Sequence, residues 1–243
     1  MKVGCNYKFP YFWTMKHFVY LMVFLPIIAW SQSNFDKGVK LFKEEKWAQA
    51  EAFFELFLNE NPNHLKAIEY LGDIAGKNKS WDKAIGYYKR LKQLKTNEAD
   101  YYYKYGGALG MKAKESSKFK ALGMISEVKD SFEKAIILDP KHIESRWALI
   151  ELYIQLPGIV GGSEAKAIQY SNELLRLSPV DGYLSRGHIE EYFKRYTLAE
   201  QQYNKAIIEG GSKKSYQKLA NLYKNKMKEP EKAKKVLESY NNR

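Results

Sequence analysis

The stretch WAQAEAFFELFLNENP, residues 47–62, carries the pattern that decides the fold. Ala50 is followed four positions later by the bulky Phe54, three after that by the apolar Phe57, and then by Pro62. The order recurs along the chain. Trp81, Ala84, Tyr88 and Leu91 repeat it, with Thr96 where Pro stood. Val128, Phe132, Ala135 and Pro140 follow, then Ala167, Ser171, Leu174 and Pro179. Tyr196, Ala199, Tyr203 and Ala206 come next, and Ala233, Leu237 and Tyr240 close the series. Successive small-residue positions lie 34, 44, 39, 32 and 34 residues apart. A period near that of the first pair marks a helix–turn–helix unit stacked on its own copies. A small residue lets two helix backbones approach closely. Proline lacks an N–H and bars the α conformation for the residue before it, so it ends the second helix.

A second pattern precedes each of these. It reads Gly38 and Leu41 in the first unit, Ile68, Leu71 and Gly72 in the second, and Tyr102, Tyr105, Gly106 and Leu109 in the third. Arg146, Leu149, Ile150 and Tyr153 stand in the fourth, and Leu219, Ala220 and Tyr223 in the sixth. In the fifth, Gly187 fits if the turn before its first helix is short, and Tyr192 fits if the turn after it is short. Both registers stay open at this level.

Over residues 33–240 these positions resemble the tetratricopeptide repeat family. The resemblance implies an all-α, right-handed superhelical solenoid of about six helix–turn–helix repeats. It also implies a non-catalytic scaffold whose first helices line a concave groove for a protein or peptide partner. The expected groove residues are Phe35, Val39, Phe42 and Lys43 in the first unit and Glu69, Tyr70, Asp73 and Lys77 in the second. Tyr103, Lys104, Gly107 and Met111 follow in the third, and Trp147, Glu151 and Gln155 in the fourth. Aromatic anchors among charges are the usual make-up of a binding hot spot. The other reading of the aromatics is packing between helices. Family members that clamp the C-terminal carboxylate of heat-shock chaperones need Lys or Asn where this chain has Phe35, Val39, Tyr70 and Asp100; of the basic positions only Lys104 remains. That partner class is not expected.

Two units carry insertions. Ten extra residues between Met111 and Val128 read as a longer first helix or a polar loop. Five extra residues surround Leu156–Ser163, where Pro157-Gly158 starts a turn and Ser163 suits a helix N-cap. The glycines Gly158, Gly161 and Gly162 bear a faint likeness to an anion-binding loop, but no Lys follows the last of them and no strand precedes them.

The N-terminus reads as an address. Lys16 and His17 precede an apolar run from Phe18 to Trp30, and Ala29 and Ser31 occupy the positions a signal peptidase reads. Residues 1–31 are expected to be a signal peptide, with 1–14 an over-long start, and 32–243 the repeat domain. The run is short for a membrane span, which needs about 20 residues; an uncleaved anchor is the alternative. The expected location is the periplasm or cell envelope of a bacterium.

Cys5 is the only cysteine and lies upstream of the apolar run, so the repeat domain has neither disulfides nor thiolate chemistry. Residues 1–31 hold three lysines and no acid, which leaves +9 of the formal +12 on the remainder. From Gly210 onward the net charge is +7. This end either caps the array with soluble lysines or makes weak contact with acidic partners or anionic lipid. Export argues against nucleic acid. The histidines His17, His64, His142 and His188 fall in different segments without metal-ligand spacing. His64 and His142 each follow a helix-ending proline by two residues and are expected as solvated turn histidines. No cofactor, metal or nucleophile–base pair is expected. Two further function classes stay open: a structural subunit of an envelope assembly, and an anion- or glycan-binding accessory protein.

Overall fold

The computed structural model describes residues 34–242. The N-terminal segment read as a signal peptide lies outside the described residues. All regular elements among those described are helical. The described residues divide into two compact units, the first ending at Leu94 and the second starting at Lys95. In the first, α1 spans 34–43 and is followed by α2 (Trp47–Glu60), α3 (Leu65–Lys77) and α4 (Trp81–Leu94). The second holds α5 (Ala99–Glu115), α6 (Lys118–Leu138), α7 (Ile143–Gln155) and α8 (Glu164–Leu177). It continues with α9 (Pro179–Tyr192), α10 (Tyr196–Gly210), α11 (Lys213–Asn221) and α12 (Pro230–Asn241). These are two helical pairs in the first unit and four in the second. No described helix is long and apolar enough to cross a membrane.

The repeated positions are where the helices meet. Ala50, Ala84, Ala167 and Ala199 are fully buried, and Val128 and Ala233 nearly so. Several pairs are keyed by a first-helix glycine over a second-helix ring. A Cβ on Gly38 would lie 2.7 Å from the Phe54 ring, one on Gly72 2.6 Å from Tyr88, and one on Gly187 2.4 Å from Tyr203. Glycine is therefore a close-approach residue here. Replacing Ala84 by Leu would force extra methylenes into a filled crossing, at a cost of about 1–3 kcal/mol. Urea denaturation of Ala84→Leu checks this; an unchanged midpoint would place the crossing elsewhere.

The fifth repeat adopts the first of the two registers. Ser178 ends α8 and caps α9 at once, with its side chain accepting from the Asp181 N–H and Pro179 at the first helical position. The turn before α9 has no spare residue. Gly187 falls on the crossing and Tyr192 is exposed. The sixth repeat hides a different irregularity. Gly38, Gly72 and Gly187 each precede their alanine by twelve residues, whereas Ala220 precedes Ala233 by thirteen. A π-helical segment, Leu222–Met227, takes up the extra residue. Beyond Ala233, Val236 packs on the core, and Leu237, which the pattern placed there, is exposed.

The pairs without insertions turn through one left-handed residue each, namely Glu45, Lys79, Lys194 and Lys228, with φ between 55° and 62°. The first insertion lengthens both helices of its pair. α5 has 17 residues and α6 has 21, and only Ser116 and Ser117 separate them. The second insertion forms a 3₁₀ turn, Gly158–Val160, with Gly161 at φ 98°. Ser163 caps α8 as its sequence suggests, accepting from the Lys166 N–H at 3.3 Å. Most of the loop's N–H groups are occupied: Val160 donates to Pro157, Gly161 to Gly158, Gly162 to Pro157, and Ser163 to Tyr153.

His142 departs from expectation. It is 5% exposed rather than solvated, because its ring replaces a capping side chain. Nδ1 accepts from the Ser145 N–H at 3.1 Å, and Nε2 faces Asp100 Oδ1 at 3.1 Å. Nδ1 must carry no proton to accept, so Nε2 is the donor to Asp100. His64 is exposed but caps α3 in the same way, through the Ala67 N–H at 3.3 Å.

Tyrosine–carboxylate pairs recur between the helices: Tyr88 with Asp73 at 2.7 Å, Tyr105 with Glu127 at 2.6 Å, Tyr203 with Glu191 at 2.8 Å, and Tyr223 with Glu200 at 2.6 Å. Each phenol donates. Burial first, and then the carboxylate, raises all four; Tyr105 is pushed up to about 12. The unfolded phenol ionises near pH 10. The stabilisation is complete below that pH and fades as pH climbs toward about 12, since the unfolded chain then loses protons the folded one retains. Melting temperature is expected to fall steeply above about pH 10, and Tyr105→Phe with Tyr223→Phe to flatten that slope. An equal slope in parent and double variant would count against the pairs.

Candidate functional site

The expected groove residues fall in both units, and each unit uses them differently. In the first, Tyr70 stacks on Phe54 at 4.8 Å with an interplanar angle of 5°. Phe42 meets Tyr70 at 4.7 Å and Trp47 at 5.0 Å, while Phe35 meets Phe57 at 5.2 Å. Phe35, Val39, Phe42 and Tyr70 are half-buried against the core of this unit. Their rings serve packing on one side and show one edge on the other. Asp73 is engaged by Tyr88, Lys77 lies over the Trp47 ring at 5.9 Å, and Lys43 is exposed.

The second unit offers a longer, more polar strip on the first helices. Tyr103 on α5 is half-buried, 5.9 Å from Phe132 and 5.3 Å from His142. Burial, then the charges of Glu144 and Asp100, push its phenol up. Lys104 beside it is half-buried. Trp147 on α7 is also half-buried, and its Nε1 donates to Asp181 Oδ1 on α9 at 3.0 Å. Asp181 is fixed in turn by Ser178 Oγ, which donates to Oδ2 at 2.7 Å. Lys214 on α11 reaches over the Trp147 ring at 5.1 Å and stands 4.0 Å from Asp181 Oδ1. A cation over an indole face is attracted by the ring quadrupole.

One turn further along, Glu151 on α7 meets His188 Nε2 on α9 at 2.7 Å and also accepts from Gln155. The His188 hydrogen bond holds the Glu151 carboxyl below the usual carboxylate range. Nε2 must then be the donor. Two polar links thus tie α7 to α9, and Lys214 reaches both from α11, with the indole between them.

Next to this strip is an apolar cleft of about 350 Å³ between α5, α6 and α7. Gly107, Gly110 and Met111 line one side, and Ala148, Glu151 and Gln155 another. A Cβ on Gly107 would meet nothing within 4 Å. The absence of a side chain there leaves room for a ligand, not for a neighbouring helix. No group of three His, Cys, Asp or Glu among the described residues could hold a metal ion.

Sequence reasoning placed Trp147, Glu151 and Gln155 on this face, and they lie together. It did not place Asp181, His188 or Lys214 there; the first two belong to the fifth repeat, whose register was open, and the third to the sixth. The signal was Ser178-Pro179: a cap followed by Pro at the first helical position fixes a turn of zero length.

No protein-family model matches the chain, and no curated protein matches it in sequence. Solved structures do. A tetratricopeptide repeat protein from Parabacteroides merdae superposes with a TM-score of 0.61 at 18% identity, covering 86% of this chain and 78% of that one. A thermophilic protein of the same repeat type from Thermus thermophilus gives 0.60 at 17% identity, over 85% of this chain and 98% of that one. PilW, a widely conserved type IV pilus biogenesis factor, gives 0.61 at 15% identity, over 85% and 90%. With this likeness, the twelve α-helices among the described residues and the repeated crossings, the chain has the tetratricopeptide-repeat fold.

Proposed function

We propose that the protein is a non-catalytic scaffold of the bacterial cell envelope that docks a segment of a partner protein on the first-helix face of its second unit. One observation carries the reading: Trp147 is held in place from the neighbouring first helices by Asp181 and Lys214, beside a cleft that Gly107 leaves open. An aromatic ring fixed before binding loses little conformational entropy when a partner covers it. The envelope location rests on the apolar segment Phe18–Trp30 and finds support in the likeness to a pilus biogenesis factor. The first unit's Phe35, Phe42, Lys43, Tyr70, Asp73 and Lys77 belong to the proposal as a further contact region.

A specific observation favours a second reading, the structural subunit. Ile137 on α6 and Ile208 on α10, both on second helices, are 71% and 82% exposed. A photocrosslinking residue separates the two. Placed at Met111, it is expected to give a discrete adduct in cells, and placed at Ile208 none. An adduct from Ile208 alone would overturn groove docking in favour of assembly through the second-helix face.

A further inference from the structure

We infer that the two insertions together build a second docking surface, one that takes an acidic, apolar segment of a partner protein. It adjoins the cleft beside the first-helix strip, with which it shares Ile125, Leu152 and Leu156, but it opens between α6, α7 and the start of α8 and has its own rim.

The surface is a cleft of about 380 Å³ formed by α6, the end of α7, the 3₁₀ turn and the start of α8. Leu122 and Ile125 come from the lengthened α6, Leu152 and Leu156 from α7, and Val160 from the second insertion. Without either insertion one wall is gone. Two exposed apolar residues flank the lining: Phe119, one turn before Leu122, is 87% exposed, and Ile159, next to Val160, is 95% exposed. Single exposed apolar residues are ordinary; an apolar cleft continuous with two of them marks an interaction site.

Charge selects the occupant. Lys129 and Lys166 line the cleft, and no carboxylate does among the described residues. Lys166 lies over the Tyr153 ring at 5.2 Å, and Lys129 stands 3.9 Å from Asp130. An occupant that lays apolar side chains on Leu122, Ile125 and Leu156 would bring its flanking groups to these ammonium ions. Carboxylates there gain an ion pair at the rim; cations would be repelled.

The test uses the full chain and two labelled amphipathic peptides of about 14 residues, roughly four helical turns. They share the same Leu and Phe positions; the rest is Glu in one and Lys in the other. The acidic peptide is expected to bind and the basic one not. Lys129→Glu with Lys166→Glu is expected to weaken the acidic peptide roughly tenfold and to admit the basic one. Ile159→Ser, on a side chain in solvent, is expected to weaken the acidic peptide without changing the melt. Equal binding of the acidic peptide to parent and double variant would overturn the inference. So would binding of neither peptide, capture of phosphatidylglycerol vesicles in place of peptide, or a dimer in sedimentation that Ile159→Ser dissolves. Lys129, Lys166 and Ile159 do not line the cleft that holds Met111, so these variants leave the Met111 crosslink in place and the two proposals fail separately.

Discussion

Tyr203→Ala is expected to destabilise the second unit by about 3–5 kcal/mol, the range for truncating a fully buried aromatic. Tyr203 has no exposed surface, its ring lies under Gly187, and its hydroxyl donates to Glu191 at 2.8 Å. Truncation leaves a void that the helices cannot close without breaking the Leu184 and Leu219 core around it. It also leaves the Glu191 carboxylate without its donor. Tyr203→Phe separates the two contributions: it keeps the ring and loses only the hydrogen bond, so about 1 kcal/mol is expected. Urea denaturation of both variants checks the pair of values. If Ala cost no more than Phe, the ring would not be the keystone that the repeat pattern makes it.

How much of this was legible follows from which constraints are local. The crossings at Ala50, Ala84 and Ala199 were readable because a small residue and a large one four positions apart can serve one packing geometry, and the geometry repeats. Insertion lengths were readable from the spacing, but not their form. A run with Lys112, Lys114, Ser116, Ser117 and Lys118 has the polarity of a loop, yet α5 and α6 extend through it as helices and leave two serines to turn. The π segment at Leu222–Met227 was hidden by compensation: the spacing Ala199 to Ala233 is an ordinary 34 although the extra residue sits inside it. His142 was misread for a related reason. Its position after Pro140 is a turn, but burial there depends on Tyr103 and Asp100 from the preceding pair.

The candidate site was half legible. Trp147, Glu151 and Gln155 followed from counting along one helix. Their partners Asp181, His188 and Lys214 required the relative register of three helices, which a single ambiguous turn withheld. The first unit marks the limit of counting. Phe35 and Tyr70 stand at groove positions, yet both rings touch Phe54, so position alone does not separate packing from recognition.

Gly182→Ala is expected to cost about 3 kcal/mol or more, at or beyond the upper end of overpacking. The added Cβ would fall 2.3 Å from Leu175 Cα and 2.6 Å from its backbone nitrogen, and backbone cannot swing aside. This is where α8 and α9 approach closely, and the sequence marks it by a substitution. The repeat's usual aromatic is here Ser171, whose Oγ donates to the Gly182 carbonyl at 3.2 Å, while Ser185 donates to the same carbonyl at 2.9 Å. Small residues on both helices, with a turn of zero length at Ser178, set the height of α9 against α7. That height places Asp181, the adjacent residue, 3.0 Å from the Trp147 indole. Separating α8 from α9 must therefore disturb the strip proposed to meet a partner. Two readouts are expected to move together: the urea midpoint, and the indole N–H resonance of Trp147, which reports its bond to Asp181. Gly107→Ala is the matched control. It is also a glycine within a helix, but its Cβ would enter open space, so the change is expected to be neutral or to stabilise by up to about 1 kcal/mol. If Gly182→Ala behaved like Gly107→Ala, the close crossing would not be what positions Asp181 under Trp147.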